Sequence, residues 1–155
     1  MTLGNVIAFD IETVPDVEFG RLRHGLEGLT DKQVGYVMQT RQREQTGSEF
    51  LSLEQHKVVA ISVAMRSHDG FKAWSLGEAD SPESEIVRRF FDSIERFTPT
   101  LVSWNGNGFD LPVLHYRAMR HSLQARRFWE TGDEDQAFRW NNYLSRYHWR
   151  HIDLM

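Results

Sequence analysis

The sequence predicts an α/β fold, and three observations carry that prediction. Residues 5 to 13 (NVIAFDIET) form a strand-like run with apolar residues at both parities, as in a strand covered on both faces. Residues 57 to 66 (KVVAISVAMR) and 71 to 76 (FKAWSL) read as two more strands around Ser67-His68-Asp69-Gly70, whose Asp-Gly pair is a hairpin signal. Ile86, Val87, Phe90, Phe91, Ile94 and Phe97 then recur at helical spacing, so strands lead into a strongly amphipathic helix.

Taken in order, Pro15 ends the first strand. Residues 16 to 56 are polar, with one helix expected from about Asp31 to Glu44. Thr30 and Gln33 fit a capping box, and Val34, Val37 and Met38 supply an apolar side. This segment reads as a partly helical insertion over a single domain spanning residues 1–155. The helix over 82–97 has Ser81 as its expected cap, Pro82 in its first position and Glu83 and Glu85 near its positive end; Pro99 stops it. TLVSW (100–104) is a short strand, and a helix from about Pro112 to His121 follows. Residues 122 to 150 mix arginines and aromatics without clean periodicity. His151-Ile152-Asp153-Leu154-Met155 reads as the start of a strand, and the fold is expected to continue beyond it.

The chain of 155 residues is 40% hydrophobic, enough for one domain with a core. No apolar run approaches the roughly 18 residues of a membrane span, and the N-terminus lacks the features of a signal peptide. The absence of cysteine excludes disulfides and thiolate metal sites and makes a cytoplasmic location the expectation. Any metal must bind through oxygen or imidazole, which favours Mg²⁺ or Mn²⁺ at carboxylates. A net charge of −4 argues against coating nucleic acid by bulk charge, but not against an enzyme that acts on it.

Two stretches carry chemistry. In AFDIETV (8–14), Asp10 and Glu12 lie two residues apart on a strand, so both carboxylates point to one side. Like charges so placed repel unless a cation sits between them, which leaves a solvated acidic face or half of a metal site. In VSWNGNGFDLPVL (102–114), a strand enters a glycine-rich turn and Asp110 precedes a helix. Asp110 is well placed as a structural N-cap, and Gly106 and Gly108 as turn residues tolerating positive φ.

Together the stretches resemble the first and second motifs of the DEDD 3′–5′ exonucleases of the ribonuclease H-like fold. The match is closest to the proofreading domain of family B DNA polymerases and its stand-alone relatives. The matching residues are Phe9 to Glu12, then Trp104, Asn105, Phe109, Asp110 and Pro112, supported by LEQHKVVAISVAM (53–65). HAD-type phosphatases also place an aspartate at the end of a first strand, but they require Asp-x-Asp where this chain has Asp10 and Glu12. The exonuclease resemblance implies a mixed sheet flanked by helices and hydrolysis of phosphodiesters at the 3′ ends of single-stranded nucleic acid, DNA rather than RNA. It implies two Mg²⁺ or Mn²⁺ ions held by Asp10, Glu12 and Asp110 as the catalytic residues. It also implies substrate contacts from Thr13, Asn105, and Trp104 or Phe109, whose aromatic rings suit base stacking. Core packing is the alternative for both aromatics.

The family's third motif in this branch is Tyr-x-x-x-Asp, which supplies a fourth carboxylate. No tyrosine here has an aspartate four residues on. His148 and Asp153 show the His-x-x-x-x-Asp spacing of a sister branch, but Asp153 falls on an expected strand, so the pair reads as a decoy. The true third motif is expected in a segment that follows His151-Ile152-Asp153-Leu154-Met155, and a non-catalytic nucleic-acid-binding or interaction module that retains the fold is the alternative. The Arg- and aromatic-rich segment 122–150 has two readings of its own, a track for a single strand or a packed satellite cluster with solvated arginines. No polymerase or other protein partner can be named from these residues.

Overall fold

The computed structural model of the chain describes residues 4–155. Its centre is a five-stranded mixed sheet: β1 (Val6–Pro15), β2 (His56–Ser67), β3 (Gly70–Ser75), β4 (Thr100–Ser103) and β5 (His151–Asp153), in the order β3-β2-β1-β4-β5. β2 runs antiparallel to both β1 and β3, and β4 runs parallel to both β1 and β5. This is the mixed α/β architecture that the resemblance implied. Among the described residues no helix is long and apolar enough to cross a membrane.

Helices α3 (Glu83–Phe97) and α4 (Asp110–Arg120) cover one sheet face. Phe90 and Phe91 of α3 are fully buried, and the Phe90 ring lies 4.9 Å from that of Phe9. Only one face of β1 is buried, that of Ile7, Phe9 and Ile11; Asp10, Glu12 and Val14 stand exposed on the other. The expectation of a strand covered on both faces is therefore corrected. The run is apolar at both parities because small Ala8 sits on the open side, opposite Ala64 of β2.

Residues 16–56 contain two helices where one was expected. α1 (Val17–His24) is capped by Asp16, whose side chain accepts from Phe19 N–H, and closes on Gly25 in the left-handed conformation. α2 (Asp31–Thr46) has the predicted Thr30–Gln33 capping box. Val34, Met38 and Leu51 bury a small core of their own beside the main one.

At the start of α3, Pro82 is the capping residue itself and makes no side-chain cap. The Ser81 hydroxyl instead accepts from Glu78 N–H, tightening the preceding turn. Glu83 is not a solvated dipole partner but is buried, because its carboxylate joins three elements. It accepts from Val58 N–H at 2.6 Å and takes a two-pronged bond from Arg117 of α4.

His115 of α4 is packed among Phe91, Phe128 and Trp129, and its Nε2 has no hydrogen-bond partner among the described residues. Burial pushes its pKa down from 6.5 to about 4. The unfolded imidazole takes up a proton first, so the native state loses stability as pH falls from 6.5 towards 4, by about 3 kcal/mol at most. In His115→Phe, melting temperature should depend less on pH across that window. An unchanged pH dependence would refute this assignment.

Candidate active site at the end of the first strand

β4 pairs with β1 only from Val6 to Ala8, so the later residues of β1 lack a partner strand on that side. Asp110 fills the gap. Its Oδ1 accepts the Ile11 N–H at 3.1 Å, across 99 residues of chain. An unpaired buried N–H costs about as much as a lost hydrogen bond, so this contact is strongly favoured. The expected N-cap role is corrected: Phe109 holds the cap position of α4, and Asp110 is its first residue. Its carboxylate reaches across to the β1 backbone.

The contact sets the electrostatics. Asp110 is only 4% exposed. Burial drives its pKa up, the Ile11 N–H opposes that, and the nearby charges of Asp10 and Asp153 push it further, to about 6. Between Glu12 and Thr13 the β1–β2 register slips, so Glu12 faces Ala60 but Thr13 faces Val58. Bulges of this kind re-aim side chains and recur beside active sites.

The Thr13 hydroxyl then meets His56 Nδ1 at 2.9 Å, while His56 Nε2 lies 3.1 Å from the Leu51 carbonyl. A carbonyl only accepts, so Nε2 carries the proton and Thr13 donates to Nδ1. Burial lowers the His56 pKa and favours this neutral ring.

The turn before Asp110 is held from β5. The Asp153 carboxylate accepts Asn105 N–H at 2.7 Å and Asn107 N–H at 3.0 Å. Although burial works the other way, these backbone donors keep its pKa below the usual range. The His151 ring bridges the Ser103 hydroxyl and the Asn107 side chain.

Neither Gly106 nor Gly108 has positive φ; Asn105 takes the left-handed conformation instead, at φ 57°. The glycines serve close approach. A Cβ on Gly106 would lie 2.1 Å from Ser103 Oγ, and one on Gly108 2.4 Å from Asn105 Oδ1. Asp153, His151, Ser103 and His56 were not assigned to the site from sequence, because their partners are distant in the chain. His148 accepts Asn142 N–H and so stabilises a separate turn.

A family model described as a predicted 3′–5′ exonuclease related to the exonuclease domain of PolB matches residues 48–155. The chain belongs to this family. The matched region includes Trp104, Asn105, Phe109 and Asp110; Asp10 and Glu12 lie before it. DNA polymerase 1 of Sulfurisphaera ohwakuensis is 42% identical over 43 residues, which are 28% of this chain and 5% of that protein. The structure of the family B DNA polymerase from the hyperthermophilic archaeon Pyrobaculum calidifontis is 23% identical with a TM-score of 0.41. That likeness covers 79% of this chain and 12% of the polymerase. The chain thus spans a small fraction of the length of either polymerase.

Among the described residues, no three His, Asp or Glu side chains stand close enough together to hold an ion. The donor chemistry nonetheless suits a hard divalent cation. Asp10 and Glu12 share one open strand face, and Asp110 is a carboxylate repelled by Asp10 and Asp153. The His56 ring bonded to Thr13 meets Phe109, whose N–H donates to the Asn105 carbonyl, whereas Trp104 is exposed to solvent rather than packed in the core.

Segment 122–150 divides between its two readings. Phe128, Phe138 and Tyr143 are buried; Arg127 pairs with Asp135, and the Arg150 guanidinium lies 3.8 Å over the Phe138 ring. Arg126 and Arg127 face Glu95, Glu130, Glu134 and Asp135, a poor setting for phosphates. Trp140, Tyr147 and Trp149 are exposed. Tyr147 and Trp149 line an open groove of about 800 Å³ that also borders Asn105, Gly108 and Asp153.

Proposed function

We propose that this chain removes nucleotides from the 3′ ends of single-stranded DNA in a reaction dependent on Mg²⁺ or Mn²⁺. One observation carries this reading: Asp110 is docked on the backbone of Ile11, the residue between Asp10 and Glu12. Asp10, Glu12 and Asp110 would hold the two ions as the catalytic carboxylates. Bound ions would supply Lewis acidity towards the phosphodiester and neutralise its developing charge. The protein's own part is to bind and orient the strand. Asn105 and the backbone at Thr13 position the terminal nucleotide, while Phe109 and exposed Trp104 offer aromatic faces to bases. DNA is preferred over RNA because the relative matched in sequence is a DNA polymerase. A chain without cysteine suits work in the cytoplasm.

The test pairs Mn²⁺ binding with digestion of 5′-labelled single-stranded DNA. Mn²⁺ should raise the melting temperature of the wild type but not of Asp10→Asn. Digestion should proceed from the 3′ end, stop with EDTA and be lost in the variant. Digestion that survives EDTA or Asp10→Asn would refute the assignment. The second reading, a non-catalytic binding module, is favoured by the lack, among the described residues, of three His, Asp or Glu side chains close enough together to hold an ion. Strand binding without any cleavage would select it.

A further inference from the structure

The insertion 16–56 ends beside the candidate site. Leu51 is buried in the insertion's small core, which anchors the segment leading into β2. The residue before it, Phe50, is turned outwards and is 59% exposed. The Phe50 ring lies 5.3 Å from that of His56 and 5.6 Å from that of Phe109. His56 and Phe109 meet edge to face at 5.1 Å. These three rings form one cluster, tied to Thr13 through the His56 bond and to Asp110 through the next residue along the chain.

Core packing accounts for His56, which is buried, and in part for Phe109, which is half-buried. It does not account for Phe50, a large apolar ring held at a fixed place with most of its surface in water. A planar face beside a site for nucleic-acid ends matches the chemistry of an unpaired base, which stacks on aromatics whatever its identity.

We propose that Phe50 is a substrate-binding residue that, with Phe109, stacks the bases at the 3′ end of a single strand, so that the insertion supplies one wall of the site. This rests on the function proposed above. It also gives the insertion a task beyond covering the domain: the buried Leu51 side chain and the Leu51 carbonyl bonded to His56 hold Phe50 in position.

The experiment measures anisotropy of labelled single-stranded DNA in EDTA, where no cleavage occurs, together with 2-aminopurine fluorescence at the 3′-terminal position. Phe50→Ala should weaken binding about 10- to 100-fold and abolish quenching of the terminal probe, with melting temperature unchanged. Phe50→Trp should restore both, whereas Phe50→Leu, apolar but not planar, should restore neither fully. If wild type binds and Phe50→Ala matches it in affinity and quenching, the stacking role is wrong while the proposed function stands. A wild type that binds no single strand at all overturns both.

Discussion

Asp110→Asn is expected to abolish metal-dependent digestion and, in EDTA at neutral pH, to make the protein more stable. Native Asp110 keeps its proton up to about pH 6, whereas the unfolded side chain releases it near 3.8. The folded state therefore binds the proton more tightly, and ionising Asp110 destabilises the fold. That cost is complete above pH 6 and absent below 3.8, with a ceiling of about 3 kcal/mol. Asparagine keeps an oxygen for the Ile11 N–H but carries no charge to repel Asp10 and Asp153. A gain of about 1–2 kcal/mol is expected, or roughly 2–8 °C in a domain of this size. The gain should fade as pH falls from 6 to 4.

Divalent metal should reverse the order. Binding to the native wild type adds stability by mass action, and the variant loses that increment. Thermal melts with and without Mn²⁺, across pH, check both halves. If the variant is less stable than wild type in EDTA at pH 7, the repulsion argument fails.

Arg117→Met should have the largest effect on stability. Arg117 is 3% exposed and its guanidinium is fully engaged. Nε and Nη2 bond the two Glu83 oxygens at 2.7 and 2.6 Å, and Nη1 bonds Asp16 at 2.6 Å. Burial alone would raise the Asp16 pKa, but Arg117 and the Phe19 N–H bring it below its usual value. Removing the arginine breaks a buried ion-pair network and leaves Asp16 with only Arg120 at 3.9 Å and Glu83 with only the His121 ring at 2.8 Å, which costs about 3–5 kcal/mol. Urea denaturation should show this loss at pH 7. The deficit should shrink on acidification, as the stranded carboxylates take up protons. Arg117→Lys should recover only part of it, since an ammonium cannot reproduce the fork. A loss below about 1 kcal/mol in Arg117→Met would sink the argument. Asp16 also caps α1 directly after β1, so the same change should loosen the insertion that carries Phe50.

Much of this molecule was legible along the chain. The Thr30–Gln33 box, the stripe of α3, the Asp-Gly hairpin and the shared face of Asp10 and Glu12 all follow from spacings of two to four residues. Local backbone geometry alone sets which side chains share a side. Errors fell where a residue had a local role available and took a distant one. Asp110 could have capped its helix but bonds Ile11, Glu83 could have stayed in solvent but joins Val58 and Arg117, and Asp153 reaches back to Asn105 and Asn107.

The sequence by itself determined the α/β elements and the acidic strand. Only the tertiary structure decided which backbone groups were left unpaired, and therefore which carboxylates were drawn to them. Those vacancies arise because β4 is shorter than β1 and because the turn at 105–108 folds against β5. A buried N–H takes the nearest acceptor in space, and nearness in space is set by how the sheet is ordered, not by separation along the chain.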